Sequence, residues 1–393
     1  MNNKIIYLDN AATTRTDQRV INEMLKYFDI LYGNPSSVYE FAGKSREAIE
    51  KARHIIAKTI KAEEDEIFFT SGGTESDNWA LRGILKAYTD KGKHLITSKI
   101  EHPAILNTAR NMEESGFEVS YIDVDEYGVI KLQGLKENIR NDTVLISVMM
   151  ANNEVGTIEP YENIADIAGK NHIIFHTDAV QCYGQIPIDV KKSGIDLLSA
   201  SAHKFNGPKG IGFLYISNKI KKEPIIFGGG QERGFRSGTW NVPSIVGMAK
   251  AAHIAHEDME RRMRKERELR DYFIKRVIAE IPFSRLNGAK EARLPGNINF
   301  AFEFINNAEL IAMLDAAGIC ASGGSACSSS KQQASHVLTA MGIPETLANA
   351  SVRFTLSHDT TRKEIDYVIN CLKYIINNLR MNSGDYKELC HKG

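Results

Sequence analysis

Lys204 stands in Ser201-Ala202-His203-Lys204-Phe205-Asn206-Gly207, directly after an apolar run. An amine at the mouth of a buried strand loses its proton more readily than one in water, and an unprotonated lysine forms imines. A lysine in a polar turn is more often a plain surface charge, so Lys204 means little by itself. Asp178 closes another apolar run in His176-Thr177-Asp178-Ala179-Val180-Gln181. A carboxylate there needs a cation to stay charged, unless it merely caps the next helix. A protonated pyridine nitrogen is such a cation, and this pairing is how proteins make pyridoxal phosphate an electron sink. Ser71-Gly72-Gly73-Thr74 follows a third run and precedes a helix beginning near Glu75. Glycines let backbone approach a ligand, and free N–H groups at a helix start favour an anion such as phosphate. The stretch lacks the GxxxxGK[ST] spacing of nucleotide-hydrolysing loops. Cradle, carboxylate and amine at three strand ends of one sheet outweigh the bland reading of each.

His102, in Lys99-Ile100-Glu101-His102-Pro103, occupies a fourth such loop, where an imidazole can stack on a ring and move protons. Asn153, in Asn152-Asn153-Glu154-Val155-Gly156, can donate its amide to a phenolate or carboxylate oxygen. The five cysteines, Cys182, Cys320, Cys327, Cys371 and Cys390, lack framework spacing and read as reduced thiols. Cys327 differs from the rest. Its setting, Gly323-Gly324-Ser325-Ala326-Cys327-Ser328, is the kind in which a thiol is reachable and able to ionise. No intrinsic metal site is expected, because Cys320 and Cys327 lie too far apart for a C-x₂₋₄-C knuckle. His253 and His256 suit an ordinary helix face better than a ligand pair.

These loops need a frame. Apolar runs at 67–70, 94–97, 118–123, 143–150, 173–176, 197–200 and 212–216 alternate with amphipathic stretches at 75–91, 103–115, 133–140 and 161–170. The alternation predicts an α/β fold with a doubly wound, mostly parallel sheet, whose ligands sit at the strands' carboxyl ends. Residues 244–280 read as a long charge-rich helical stretch, broken at least once and bridging two domains. A strand at 297–302 and helices at 308–317 and 362–377 then predict a smaller α+β domain. The Gly/Ser content of 322–330 predicts a mobile loop within it. The 393 residues carry 49 basic and 49 acidic side chains, and a neutral chain without basic blocks argues against nucleic acid as partner. No run approaches the roughly 18 apolar residues of a membrane span. The first residues lack a secretory pattern. A cytoplasmic enzyme with no membrane or nucleic-acid partner is expected.

Together these stretches resemble the cysteine desulfurases of the NifS/IscS type. Those are pyridoxal phosphate enzymes of the class V aminotransferase family, with the aspartate-aminotransferase fold (fold type I). The resemblance covers nearly the whole chain, in YLDNAATT (7–14), GNPSS (33–37), FTSGGTESDN (69–78), TSKIEHPAI (97–105), NNEVG (152–156), HTDAVQ (176–181), SAHKFNGPKGIG (201–212), GGGQERGFRSGT (228–239), GGSAC (323–327) and SVRFTL (351–356). It implies a large cofactor domain over 15–258. A small domain would combine 1–14 with 259–393 and carry the catalytic cysteine loop (322–335). By the same resemblance Lys204 would hold pyridoxal 5'-phosphate covalently, Asp178 would pair with its ring nitrogen and His102 would stack on the ring. Gly73, Thr74, Ser201 and His203 would surround the phosphate, and Thr239 would reach it from the partner subunit of a homodimer. Asn153 and Gln181 would contact the ring hydroxyl, while Arg353, with Asn153 nearby, would bind the substrate carboxylate. Cys327 would take sulfur from L-cysteine as a persulfide and leave L-alanine.

The sulfur would pass to an acceptor protein such as an iron–sulfur scaffold, with transient iron–sulfur contact at Cys327. A selenocysteine lyase would use the same groups. An aminotransferase needs no thiol, and a non-catalytic sulfur-transfer scaffold needs none of Lys204, Asp178 and His102. The Gly-Ser-Ala-Cys context and the following loop (328–335) resemble members that hand sulfur directly to scaffolds. Two features depart from the family: the tail NSGDYKELCHKG lacks an aromatic, His-ended extension, and Trp240 stands where a smaller aliphatic is common.

Overall fold

The computed structural model describes residues 5–323 and 334–392, with side chains as far as Leu389. Cys327 and most of the loop expected to carry it lie outside the described residues. After β1 (Ile6–Tyr7), a large sheet is built from β2 (Ile67–Thr70), β3 (His94–Ser98), β4 (Glu118–Ile122), β5 (Thr143–Ser147), β6 (Ile174–Asp178), β7 (Leu197–Ser201) and β8 (Gly212–Ile216). Its order is β2-β8-β7-β6-β5-β3-β4. Strands β4, β3, β5, β6 and β7 pair in parallel, and β8 runs antiparallel to both β7 and β2. Two reversals restore direction, so β2 points the same way as the parallel set. The carboxyl ends of β2, β3, β5, β6 and β7 therefore open on one side.

Every position of β2, β3, β5, β6, β7 and β8 is buried, which is why these strands read as unbroken apolar runs. Alternate side chains feed two cores. Ile67, Phe69, Ile96, Ile146 and Phe175 pack against helices Gln18–Asp29, Glu40–Ile60 and Val242–Glu257. Phe68, Leu95 and Leu145 pack against Trp79, Leu85, Ile105 and Met112 on the other face. A fully buried side chain of this size contributes roughly 1.5–3 kcal/mol. Strand ends differ by a residue or two from the sequence reading: β6 runs on to Asp178, while β5 stops at Ser147. The ladder nonetheless continues as single bonds from Val148 N to His176 O (3.1 Å) and Met150 N to Asp178 O (2.9 Å).

The expected break in the long helical stretch falls at Asp258, between helices Val242–Glu257 and Met259–Glu280. Beyond it β9 (Ser284–Leu286), β10 (Asn297–Phe302), β12 (Ser322–Gly323) and β13 (Ser351–Thr355) form an antiparallel sheet in the order β12-β13-β10-β9. Strand β11 (Ile319–Cys320) pairs in parallel with β1. Helices Met259–Glu280 and Arg362–Asn382 cover this layer, enclosing Leu8, Phe273, Phe300, Phe354 and Leu372. A capping box between Thr361 and Glu364 starts the second of these helices. The N-terminal segment is sewn in by Leu8 N to Cys320 O (3.0 Å) and Thr355 N to Leu8 O (2.7 Å), which carries residues 9–12 across to the large sheet.

Candidate active site

The open end of the large sheet gathers the residues singled out from sequence. At β2, Gly72 adopts φ 152° and ψ −174°, a conformation costly for any side chain, and opens a helix at Gly73. A Cβ on Gly73 would lie 2.8 Å from Val180 Cγ2, and one on Gly72 would lie 3.6 Å from Ser201 Oγ. Bare backbone is thus pressed against Ser201 and the 178–180 turn. The helix continues to Ala87, so its first N–H groups, at Gly73 and Thr74, face outward without intrahelical partners. Glu75 closes the turn by accepting from Ser71 N (3.0 Å).

Asp178, 6% exposed, ends β6 and caps no helix; its Oδ1 accepts only a turn hydrogen bond from Val180 N (2.8 Å). Burial raises its pKa, while His102 and Lys204 pull it down. The site therefore leaves a carboxylate that a cation must hold charged. Lys204 donates to the carbonyls of Ala11 (2.5 Å) and Ala12 (2.9 Å), and Gln181 Nε2 reaches the same Ala11 carbonyl at 3.1 Å. The N-terminal segment so draws Lys204 and Gln181 together. His102 caps the helix Pro103–Glu114 by accepting from Ala104 N at Nδ1 (3.1 Å), which leaves its proton on Nε2. Burial lowers its pKa, Asp178 raises it, and Lys204 lowers it again. His203 contacts Thr13 Oγ1 at 3.1 Å, and burial with neighbouring Lys204 and Lys209 brings its pKa down to about 4. It is neutral at pH 7.

Arg353, 3% exposed, rises from β13 with NH1 on the Asn153 carbonyl (2.9 Å) and NH2 on Asp9 Oδ1 (2.8 Å). Its Nε is buried without a partner, and each terminal nitrogen keeps a second hydrogen for a carboxylate. Asn153 is partly buried in a turn held by Asn152, whose Oδ1 accepts from Glu154 N (2.8 Å) and Val155 N (3.0 Å). Thr239 is exposed on a separate loop.

Other functional neighbours were not singled out from sequence. Asp77 and Glu101 are buried near Asp178, each with one oxygen lacking a partner. Burial lifts Asp77 well above the usual carboxylate range, helped by Asp178, against a hydrogen bond from Ser199. Glu101 is pushed up to about 8 by burial, against hydrogen bonds from Ser98 and Met149 N. His176 sits between Ser147 Oγ (2.8 Å) and Ser199 Oγ (2.9 Å), and burial brings it to about 3. Glu154 accepts from Ser335 Oγ (2.5 Å), and burial raises it to about 7. Their only sequence signal was adjacency to the named motifs. Among the described residues no group of three His, Cys, Asp or Glu side chains could hold a metal ion.

The donor set fits pyridoxal phosphate. Glycine backbone where a Cβ would collide, with Ser201 beside it, suits the phosphate; Asp178 suits a protonated ring nitrogen; Lys204 supplies an amine and Gln181 a neutral amide. Fold and site together define an α/β enzyme of the pyridoxal phosphate type. The class V aminotransferase family matches residues 6–368, and the chain belongs to that family, whose members depend on this cofactor. Cysteine desulfurase IscS of Methanosarcina thermophila is 50% identical over 378 residues, covering 96% of this chain and 93% of that protein. Cysteine desulfurase IscS of Clostridium botulinum is 48% identical over 380 residues, covering 96% of each. A solved structure described as a NifS-like protein superposes with a TM-score of 0.90 at 38% identity, covering 95% of this chain and all of that one.

Proposed function

We propose that the chain is a cysteine desulfurase that takes sulfur from L-cysteine, leaves L-alanine and receives the sulfur on Cys327. The convergence of Lys204, Asp178 and His102 at one sheet end carries this reading, supported by relatives of that name at half identity over nearly the whole chain. When bound, pyridoxal phosphate supplies a ring that accepts the electron pair from the substrate's α-carbon. Gly73, Thr74, Ser201 and His203, with Thr239 of a second copy, hold its phosphate. Asp178 keeps its ring nitrogen protonated, His102 covers its face, and Asn153 and Gln181 meet its hydroxyl. Lys204 anchors it and then moves a proton at the substrate α-carbon, and Arg353 holds the substrate carboxylate. The Cys327 thiolate attacks the substrate sulfur. An S–S bond forms, the Cβ–S bond breaks, and the electron pair goes to the carbon fragment, which takes up protons to become alanine. Both placed flanks of the Cys327 segment support that role: Ser322 is paired with Arg353, and Ser335 is bonded to Glu154 beside Asn153.

The division into a 15–258 domain and a domain of 1–14 with 259–393 is part of the same reading, supported by the separate core around Phe273 and Phe354. So is a cytoplasmic homodimer that passes sulfur to an acceptor such as an iron–sulfur scaffold. No helix among the described residues is long and apolar enough to cross a membrane. A selenocysteine lyase remains the second reading, since selenium uses the same groups. Purified protein given L-cysteine and a reductant should release sulfide and alanine in equal amounts. Cys327→Ala should lose both while keeping its yellow cofactor band. Cofactor without either product would sink the desulfurase reading, and strong preference for selenocysteine would favour the second.

A further inference from the structure

Trp240, the departure from the family pattern, has a partner in the structure. Its indole Nε1 donates to Glu232 Oε1 at 2.6 Å. Glu232 also accepts from two nitrogens of Arg53, each at 2.9 Å, and from Phe69 N at 2.9 Å. Glu232 is 1% exposed and Arg53 3%; Arg53 further donates to the Ile67 carbonyl (2.7 Å) and lies over the Phe69 ring at 4.6 Å. A buried pair so fully hydrogen-bonded is costly to break and admits little change of geometry. It holds Glu232 at φ 44° and Arg233 at φ 59°, left-handed values that non-glycine residues rarely keep. Nearby, Arg236 Nε donates to Glu75 Oε1 (2.7 Å), one residue beyond Thr74. Between these two anchors Gly238 and Thr239 are exposed, and among the described residues no hydrogen bond engages the Thr239 hydroxyl.

We propose that Glu232, clamped by Arg53 and Trp240, is a positioning residue that fixes residues 231–240 so that Thr239 is displayed outward to the phosphate site of a second copy of this chain. This rests on the reading that Thr239 completes its partner's cradle rather than its own. An exposed hydroxyl on a wandering loop would lose entropy on meeting a phosphate. One held by a buried ion pair on one side and by Arg236–Glu75 on the other meets it pre-ordered.

Glu232→Ala would strand the Arg53 charge and risks misfolding, so the test uses Trp240→Phe, which keeps the ring's packing and removes one N–H donor. Holoprotein is desalted and cofactor retention is read from its absorbance. Trp240→Phe should hold the cofactor about ten-fold more weakly than native protein, the scale of one hydrogen bond to a charged group. The variant is then co-expressed with Lys204→Ala subunits under two tags, and mixed dimers are isolated. In those dimers the Lys204-bearing site borrows its loop from the unaltered subunit, so native retention should return. Thr239→Ala carried through the same mixing should also recover. Recovery for Thr239→Ala but not for Trp240→Phe means that Trp240 supports its own chain's site, which overturns the positioning role. Recovery for neither puts Thr239 in its own chain's site and overturns the underlying reading. Unchanged retention in the Trp240→Phe homodimer also overturns the proposal.

Discussion

Asp178, Asp77 and Glu101 place three carboxyl groups behind one ring-binding position, and only Asp178 has His102 and Lys204 to draw it toward ionisation. Asp77 and Glu101 are better described as buried neutral acids at pH 7, which leaves the single negative charge where a cationic nitrogen needs it. Glu101 allows a clean check. Its pKa is raised in the folded protein, to about 8 against about 4.5 when unfolded. Its stabilising protonation is therefore complete below about pH 4.5 and is lost as pH rises through 8. Glu101→Gln keeps an acceptor for Ser98 Oγ and Met149 N, and cannot ionise. The variant should match native stability near pH 5 and exceed it by about 2 kcal/mol at pH 8. Denaturant titrations of both holoproteins at the two pH values would read this; an equal gap at both would mean that Glu101 does not carry the buried proton.

At the scale of elements, the strand ends hold the site because each ends in a turn whose backbone is already committed elsewhere. The Gly72-Gly73 turn is the tightest case. Gly73→Ala sets a methyl 2.8 Å from the branched, partly buried Val180, which sits two residues from Asp178 and has little room to yield. Cofactor retention should fall at least about ten-fold while far-UV circular dichroism stays native; a variant that keeps the yellow band through desalting would contradict the cradle. These turns were legible in the sequence because chemistry concentrates in short contiguous motifs. Lys204, Asp178, His102, Gly73 and Ser201 all meet at the open end. The carbonyls of Ala11 and Ala12 were not legible, since they lie about 190 positions before Lys204 and carry no side-chain signal. Asp77, Glu101 and Glu154 escaped for a related reason: a carboxyl group looks solvated until packing removes its water. Arg353 was placed correctly in β13, but its engagement with Asp9 was invisible without the fold.

For the whole molecule, zero net charge and a well-filled double core leave one conspicuous surface, the segment from the end of helix Gln18–Asp29 to Tyr39. Phe28, Ile30, Tyr32 and Val38 there are 63%, 64%, 68% and 97% exposed. Such clustering marks a contact face. If it belongs to the homodimer, Tyr32→Asp combined with Val38→Asp should move sedimentation at micromolar protein from dimer toward monomer. Persistence of the dimer would place the interface elsewhere. The N-terminal segment has a consequence for how the molecule is made. Residues 6–12 leave the ribosome first, yet their partners Cys320 and Thr355 and the catalytic Lys204 come far later. Such long-range pairing forms late and slowly. Nascent chains stalled short of β13 thus cannot seat the amine on its two carbonyls, and the cell is spared half-made enzyme with a primed lysine. Trimming a dozen residues from the amino end is, on the same grounds, an active-site lesion.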